Sequence, residues 1–380
     1  MQSVESHNHI KVAYMLGSLN RGGTETLLLD VFRSAAQASF DFIGVYRKSG
    51  AYEEDFYKTG KPLFRLSPHH GRLITYLLQL RRLFRAQGVT IVHAQQSIDC
   101  LYAWMATIGT GIRVVETFHG YDFGFSRLAR FLNRLSILLS DSVCFVSDTQ
   151  RSYYIQRYGL QRYVKKLHVV YNGIDFSKFD LKYPVPDFLK KIDPTQSGIR
   201  LATVGNFVSG RSQSYICRSI EILKERGITD FDMYFVGKRN DKEPWRYDDC
   251  VNFCKEHSLD NVHFLGGRAD VPAILQNIDA FVYSTDHDTF GIAVVEAMAA
   301  GLPVFVNDWG VMCEVVKEGM CKGVSLWETG KPESLANMLS DFFAAPETYY
   351  NSARQNKQNI REAFSIQRHV TRLAEIYKQI

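Results

Sequence analysis

The sequence lacks the features that mark membrane-spanning and secreted chains. No run approaches the roughly 18 uninterrupted apolar residues that a spanning helix needs. Met1 to His9 are polar and lack the apolar core of a signal peptide. The seven cysteines are an odd, scattered set, and most lie inside apolar runs, which indicates buried free thiols. These absences predict a cytoplasmic protein.

The sequence also has little that indicates a metal centre. Cys250, Cys254 and His257 are close enough in sequence to suggest zinc, but no fourth ligand follows at a suitable spacing. We therefore expect no metal and no resident cofactor.

Composition and charge describe a large globular chain with a basic first half. The 380 residues are 46% hydrophobic, which suggests two domains with substantial cores. Through Asp180 there are 22 Lys and Arg against 14 Asp and Glu, and after it 23 against 26. The first half is therefore expected to meet an anionic partner or surface. A solvated basic face without a partner is the alternative, and we expect no nucleic-acid partner.

Short apolar runs rich in β-branched residues alternate with helical patterns along the whole chain. Runs that are apolar on both faces and alternate with helices predict parallel sheets covered on both sides. Eleven such runs are too many for one ordinary doubly wound sheet, so two Rossmann-like domains are predicted. The eleven predicted strands are Val12–Leu16, Phe40–Tyr46, Thr90–His93, Val114–Phe118, Ser142–Val146, Leu167–Tyr171, Leu201–Val204, Met233–Val236, Val262–Leu265, Ala280–Tyr283 and Pro303–Val306.

The predicted domain boundaries follow the Pro-rich, aperiodic stretch around Asp180–Ser197. Residues 1–180 form a first domain, 181–198 a linker and 199–350 a second domain. Residues 351–380 are a helical segment that could pack back on the first domain. Open parallel sheets bind ligands at the carboxyl ends of their strands, so two such domains facing each other would place a site in the cleft between them.

A glycine-rich loop follows the first predicted strand. It runs from Gly17 through Gly22 and Gly23 to Glu25 and then opens a helix. Glycines here allow a backbone to approach phosphate or sugar closely, with helix amides directed at the ligand. The spacing nearly matches a P-loop, but Gly23 occupies the position of the lysine, which disfavours an ATPase. A plain tight turn explains the loop equally well.

The most informative stretch runs from Ser284 to Pro303. A helix is predicted from Thr289 to its end at Gly301, and the free amides at its start form an anion site. Glu296 would lie on the same face as Thr289, about 10 Å further along the axis. That arrangement suits a diphosphate at the helix start and a sugar hydroxyl pair at the carboxylate. A structural ion pair is the alternative explanation for a charge in this apolar helix.

In this stretch the chain resembles glycosyltransferase family 4, the retaining enzymes of GT-B architecture. The family has an acidic residue, then seven residues, then Glu before Ala-Met-Ala-x-Gly-x-Pro; here the two acids are Asp288 and Glu296. The resemblance covers almost the whole chain. Four further segments match in order: Gly22–Glu25, Thr117–Gly120, Val170–Asp175 and Val262–Gly266.

The resemblance implies roles for the matching residues. Glu296 would hold the ribose, Asp288 would contact hydroxyls of the donor sugar, and the amides of Phe290, Gly291 and Ile292 would face the diphosphate. His119, from the opposite domain, would help to position the sugar near its anomeric carbon.

Two positions depart from the family pattern. Asp288 replaces the usual Glu. The stretch that starts at Gly205 has Asn206 in place of the family's arginine and Arg211 in place of its lysine. One cation is missing, so Arg211 is the main candidate to stabilise the leaving diphosphate. The predicted catalytic residues are therefore His119, Arg211 and Asp288, and Gly22, Gly23, Gly205 and Asn206 complete the donor-binding set.

The expected function is retaining transfer of a sugar from a nucleotide-diphosphate sugar to a glycan or lipid-linked glycan acceptor, in cell-surface polysaccharide or glycoconjugate synthesis. A UDP-sugar is favoured over a GDP-sugar. A nucleotide-sugar epimerase of the same fold, or a non-catalytic nucleotide- or glycan-binding homologue, is the alternative.

Two segments of the first half have a basic amphipathic pattern. Arg72, Arg81, Arg82 and Arg85 accompany five leucines, and Arg127, Arg130 and Arg134 alternate with Leu128, Phe131, Leu132 and Leu135. Such a helix can lie on anionic lipid, which predicts weak peripheral association with the inner face of the plasma membrane. Packing against its own sheet is the alternative.

Overall fold

The structure, a computed structural model, describes residues 10–34, 38–68, 72–190, 198–319 and 323–380. The described chain divides into two compact units. Unit 1 contains the chain up to Ile174 together with Ser365–Ile380, and unit 2 is the continuous segment Asp175–Phe364. Residues 191–197 of the predicted linker lie outside the described residues.

Unit 1 begins with alternating strands and helices. Its strands are β1 (Lys11–Ser18), β2 (Asp41–Lys48), β3 (Leu63–Arg65), β4 (Ile91–Ala94), β5 (Arg113–Phe118), β6 (Ser142–Phe145) and β7 (Leu167–Val169). Its helices up to this point are α1 (Gly23–Arg33), α2 (Glu53–Tyr57), α3 (Leu73–Ala86), α4 (Ser97–Thr107), α5 (Arg127–Leu139) and α6 (Asp148–Tyr158), with a 3₁₀ helix over Gln161–Lys166.

Unit 2 repeats this alternation. After a 3₁₀ helix over Phe176–Phe179 come α7 (Asp187–Lys190), β8 (Ile199–Val204), α8 (Gln213–Glu225), β9 (Phe231–Val236), α9 (Trp245–Glu256), β10 (Val262–Gly266) and α10 (Val271–Leu275). Then follow β11 (Ala280–Tyr283), α11 (Ile292–Ala300), β12 (Val304–Asn307), α12 (Gly310–Glu318), β13 (Val324–Trp327), α13 (Pro332–Ala344) and α14 (Pro346–Ala363). The last helix, α15 (Ile366–Lys378), belongs to unit 1.

Both sheets are parallel and share one topology. Unit 1 has the order β3-β2-β1-β4-β5-β6-β7, and unit 2 has the order β10-β9-β8-β11-β12-β13. In each, the first strand of the unit neighbours its second and fourth, which is the doubly wound Rossmann arrangement with its switch point between the first and fourth strands. The predicted fold class, two Rossmann-like domains of the α/β type, is therefore confirmed.

Alternating residues of β1 supply the two cores of unit 1. Val12, Tyr14 and Leu16 face a cluster that also contains residues of α1 and α15, whereas Ala13 and Met15 face the cluster that contains residues of α3 and α4. A strand that is apolar on both faces therefore lies between two helical layers. The central strands were predicted because each carries this two-sided pattern.

Two edge strands were missed by the sequence analysis. β3 has three residues and β13 has four, and both lie at sheet edges. Neither segment has the fully buried pattern of a central strand, because an edge strand is partly exposed. Among the described residues, no helix is long and apolar enough to cross a membrane.

Candidate functional site

The carboxyl end of β8 leads directly into the predicted donor loop of unit 2. A Cβ atom on Gly237 would lie 2.0 Å from the carbonyl oxygen of Gly205, so the ends of β8 and β9 can meet only with glycine there. Beside this crossing, the side-chain oxygen of Asn206 accepts a hydrogen bond from the backbone N–H of Lys238 at 2.9 Å. Asn206 thus joins two loops at the carboxyl edge of the sheet.

Arg211 folds back against this crossing. A Cβ atom on Gly205 would lie 3.1 Å from Nε of Arg211, so a glycine at that position leaves room for the guanidinium. The guanidinium carbon also lies 5.0 Å from the centre of the Tyr283 ring, within the range of a cation–π interaction. The backbone of Arg211 pairs with that of Thr285, which ties the β8 loop to the end of β11.

Arg211 and Asp288, two of the three predicted catalytic residues, form an ion pair with each other. The hydroxyl of Tyr283 donates to the second carboxylate oxygen of Asp288 at 2.5 Å. Burial acts to lower the pKa of Arg211, but Tyr283 and Asp288 outweigh it and the pKa is raised. Burial also raises the pKa of Tyr283 far above its ordinary value, so that side chain stays a hydrogen-bond donor. The arginine is therefore a permanent cation paired with the Asp288 carboxylate.

A buried polar scaffold holds the loop that carries Asp288. The Thr285 hydroxyl donates to the carbonyl of Gly210 at 2.6 Å and accepts from the N–H of Asp288 at 3.1 Å. Asn307, at the end of β12, accepts from the Thr285 N–H at 2.9 Å and donates to its carbonyl at 2.7 Å. Hydrogen bonds of this kind fix the position of the carboxylate before any ligand arrives.

The helix predicted to start at Thr289 begins three residues later. Gly291 is the N-cap of α11 and has φ of +83°, a left-handed conformation that favours glycine and turns the chain before Ile292. Thr289 therefore lies outside the helix, and the prediction that it shares a helical face with Glu296 is wrong. Phe290 is 2% exposed, so its side chain packs in the core.

The start of α11 has the properties of an anion site. No side chain caps its first turn, and that turn contains no acidic residue. The first amides of a helix have no intrahelical partners and lie at the positive end of its dipole. The amides at Gly291 and Ile292 are therefore suited to a phosphate oxygen.

Glu296 lies one turn into α11 and is paired. Its Oε1 accepts from Nζ of Lys178 at 2.6 Å, and the carboxylate side chain is 13% exposed. The ion pair that the sequence analysis held as an alternative is thus present. It does not exclude ribose binding, because an ionised carboxylate keeps further acceptor sites for hydroxyl groups when one of its oxygens accepts from a lysine.

Unit 1 carries the remaining predicted residues at the carboxyl ends of its own strands. Gly22 is the N-cap of α1 and Gly23 is the first residue of that helix, which again has no capping side chain. The carbonyl of Gly22 accepts hydrogen bonds from the N–H and the hydroxyl of Thr26. A Cβ atom on Gly22 would lie 2.5 Å from a carboxylate oxygen of Glu25, which shows how tightly this turn is closed.

His119 directly follows β5. Its Nε2 lies 2.8 Å from the side-chain oxygen of Gln95, the residue after β4. The Gln95 nitrogen faces the carbonyl of His93 at 3.5 Å, which orients the amide so that its oxygen accepts from His119. Burial and the neighbouring His369 lower the pKa of His119 to about 3, so the ring is neutral.

Sequence reasoning missed four residues that hold this chemistry in place, namely Tyr283, Asn307, Lys178 and Gln95. Tyr283 and Asn307 are the last residues of their strands, and Gln95 directly follows β4. A polar residue at the end of an apolar run is the sequence signal that would have identified these three. Lys178 carries no such signal. Among the described residues there is no group of three or more side chains suited to hold a metal ion.

Two family models match the chain in succession. Residues 21–178 match the model of Glycosyltransferase Family 4, and residues 187–362 match that of Glycosyl transferases group 1. The chain belongs to glycosyltransferase family 4. The predicted family and enzyme class are confirmed.

Relatives of this family 4 glycosyltransferase include two with named lipid-linked acceptors. The UDP-Gal:α-D-GlcNAc-diphosphoundecaprenol α-1,3-galactosyltransferase of Escherichia coli is 22% identical over 80% of both chains. The N,N'-diacetylbacillosaminyl-diphospho-undecaprenol α-1,3-N-acetylgalactosaminyltransferase of Campylobacter jejuni is 26% identical over 70% of both. The structure of Anabaena HepE in complex with UDP-glucose has a TM-score of 0.80 and 18% identity, and the match covers 98% of this chain and 100% of the other.

Proposed function

We propose that this glycosyltransferase moves a sugar, with retention of anomeric configuration, from a UDP-sugar to a lipid-linked glycan acceptor in cell-surface polysaccharide or glycoconjugate synthesis. The observation that carries the proposal is the Arg211–Asp288 pair in the same unit as the uncapped start of α11. A cation, an acid and free amides on adjoining loops are what a sugar diphosphate requires.

The residues divide the work according to charge. Breaking the anomeric bond develops positive charge on the sugar and negative charge on the departing diphosphate. Arg211 and the amides at Gly291 and Ile292 take the negative charge, so no metal ion is required. Asp288 contacts the sugar hydroxyls, and Glu296 with Lys178 holds the ribose end of the nucleotide.

Relatives support the substrate classes. The printed names of the galactosyltransferase and the N-acetylgalactosaminyltransferase both specify diphosphoundecaprenol-linked acceptors, and the first specifies a UDP-sugar donor. HepE was solved with UDP-glucose. The galactosyltransferase and HepE favour a UDP-sugar over a GDP-sugar, and the two transferases favour a lipid-linked acceptor over a free sugar.

The test begins with donor binding. Calorimetry with UDP-, GDP- and ADP-sugars identifies the donor, and we expect measurable affinity for a UDP-sugar and weaker binding of the other two. Incubation of the protein with that donor and a prenyl-diphosphate-linked sugar should give a longer glycan. NMR of the product should show that its new anomeric centre has the same configuration as the donor sugar.

Two results would contradict the proposal. Conversion of the donor sugar without any acceptor would show an epimerase. Tight donor binding without product, across a panel of lipid-linked acceptors, would indicate a binding homologue.

A further inference from the structure

The charged side chains assigned so far to the donor site of unit 2 cancel one another. Arg211 is paired with Asp288, and Lys178 is paired with Glu296. A nucleotide-diphosphate sugar brings negative charge on both of its phosphoryl groups. Against that charge, the uncapped start of α11 supplies about half of one positive charge. The site therefore needs a further cation to balance its ligand.

Neighbouring cations at the carboxyl edge of the unit 2 sheet are held by acids. Arg239, in the loop after β9, donates to Asp248 at 2.8 and 2.7 Å, and Arg268, in the loop after β10, pairs with Asp270. Lys238 is different. Its side chain is exposed and forms no ion pair with any residue in the described part of the chain. Lys238 is therefore a cation that is available to an anionic ligand at this edge.

The backbone of Lys238 is fixed beside the donor loop. Lys238 directly follows Gly237, the residue that allows the ends of β8 and β9 to meet. Its N–H donates the hydrogen bond of 2.9 Å to the side chain of Asn206. Arg211 lies five positions after Asn206 on the same loop. The lysine is therefore anchored to the loop that carries the arginine of the site.

A glycine after β10 makes room for the side chain of Lys238. A Cβ atom on Gly267 would lie 2.3 Å from Cγ and 2.7 Å from Cε of Lys238. Gly267 does not have a positive φ, so its backbone conformation does not call for glycine. The space that the lysine stem occupies is the structural reason for a glycine at this position. The stem thus lies along the carboxyl edge of the sheet.

Three positive features follow one another along this edge. In the sheet, β11 neighbours β8 and β8 neighbours β9. The start of α11 follows β11, Arg211 follows β8, and Lys238 follows β9. Neighbouring strands lie about 4.8 Å apart, so about 10 Å separates the ends of β11 and β9. A diphosphate and an extended lysine side chain together span that distance.

We propose that Lys238 is a further donor-binding residue, whose ammonium group binds the diphosphate of the nucleotide sugar. An ammonium group is a compact charge with three hydrogen-bond donors, and it binds phosphoryl oxygens as a point charge. Lys238 then supplies the positive charge that the paired residues of the site do not. The inference rests on the proposed function, because that function makes a nucleotide-diphosphate sugar the donor.

The experiment is calorimetry of the full chain with UDP and no acceptor. Loss of one charge-assisted hydrogen bond at an exposed position should make UDP bind about tenfold more weakly to Lys238→Gln. Lys238→Arg should keep most of the affinity, since arginine retains the charge. A change from about 0.05 M to about 0.5 M salt should narrow the difference between the parent and Lys238→Gln, because salt screens an exposed charge.

The matched control is Lys255→Gln, which removes the same charge from the same unit. Lys255 is exposed in the last turn of α9, at the opposite edge of the sheet. This variant should bind UDP like the parent. Thermal unfolding without ligand should be the same for Lys238→Gln and the parent, because Lys238 has no ion pair to lose among the described residues.

Two results would overturn the inference and leave the proposed function intact: unchanged UDP affinity in Lys238→Gln, or an equal loss of affinity in Lys255→Gln. A different result would contradict the proposed function itself. If the parent binds no nucleotide diphosphate at all, neither the proposed donor nor the role of Lys238 can be maintained.

Discussion

Replacement of Arg211 by alanine separates two roles of one side chain. In the ligand-free protein it neutralises Asp288, and in the proposed donor complex it stabilises the leaving diphosphate. The two side chains are 23% and 15% exposed, so the pair lies between a buried and a surface ion pair. Removing one partner of a buried pair costs about 3–5 kcal/mol, and surface pairs are worth about 0–1 kcal/mol. We expect Arg211→Ala to lower the free energy of unfolding by about 2 kcal/mol.

The kinetic effect is expected to be of similar size in free energy and to have a different pattern. A hydrogen bond to a charged group contributes roughly 1.5–3 kcal/mol, which corresponds to about a tenfold to hundredfold loss. Because the charge on the diphosphate grows toward the transition state, the loss should appear in kcat more than in donor affinity. Arg211→Lys should recover part of it, since lysine keeps the charge but cannot bind in bidentate fashion.

The assay is a double-mutant cycle with Arg211→Ala, Asp288→Asn and both together, measured by urea denaturation and by steady-state kinetics. The double variant should regain most of the lost stability, because no unpaired carboxylate remains, while kcat stays low. Arg211→Ala with the parent's kcat would refute the proposed role of the arginine. Equal instability of Arg211→Ala and the double variant would refute the pairing argument.

Asn206→Arg, which restores the family pattern, is expected to reduce activity. The structure shows the Asn206 oxygen bonded to the backbone of Lys238, and arginine cannot accept that hydrogen bond. Steady-state kinetics of Asn206→Arg with the preferred donor test this expectation. A kcat above that of the parent would show that the loop tolerates loss of the Asn206–Lys238 hydrogen bond.

Three further predictions concern separate contacts. Glu296→Ala should abolish useful donor binding by calorimetry, and a Lys178→Met control should weaken it less; unchanged affinity in folded Glu296→Ala would end the ribose assignment. Gln95→Glu should raise the pKa of His119 above about 3, because a carboxylate would then face Nε2. NMR titration of the His119 ring measures this, and an unchanged pKa would show that residue 95 does not contact the ring. Burial lowers the pKa of His93 to about 3. Below about pH 6.5 the unfolded chain therefore binds a proton at His93 that the folded chain does not bind, and the free energy of unfolding should fall as the pH decreases. The loss from this group at pH 5 should be about 2 kcal/mol relative to pH 8, and His93→Asn should remove it from urea-denaturation curves.

The architecture was predictable because the central strands have a recognisable local sequence pattern. Central strands such as β1 and β11 are apolar on both faces. This pattern can be recognised from the strand's own sequence, without knowing which strands lie beside it. The short edge strands β3 and β13 lack it. The start of α11 was misplaced because the sequence pattern of apolar residues continues back to Phe290, which is buried before the helix begins.

The pairings within the site could not be predicted in the same way. Arg211 and Asp288 were each assigned to the donor, and nothing in the sequence shows that they bind each other. Glu296 and Lys178 are 118 positions apart, and their contact depends on how the 3₁₀ helix at the start of unit 2 packs on α11. Such contacts are set by topology, and no local spacing encodes them.

The return of α15 to unit 1 has a consequence for how the chain is made. Ile366, Val370, Leu373 and Tyr377 belong to the same buried cluster as Tyr14 of β1, so that core is incomplete until α15 has been synthesised. Unit 2 is continuous and can fold as it leaves the ribosome. Unit 1 must wait with the apolar side chains of β1 and α1 uncovered through the synthesis of 190 further residues, Asp175–Phe364. A stop codon shortly before Ser365 would therefore damage unit 1, although the sheet of that unit is encoded far upstream of Ser365.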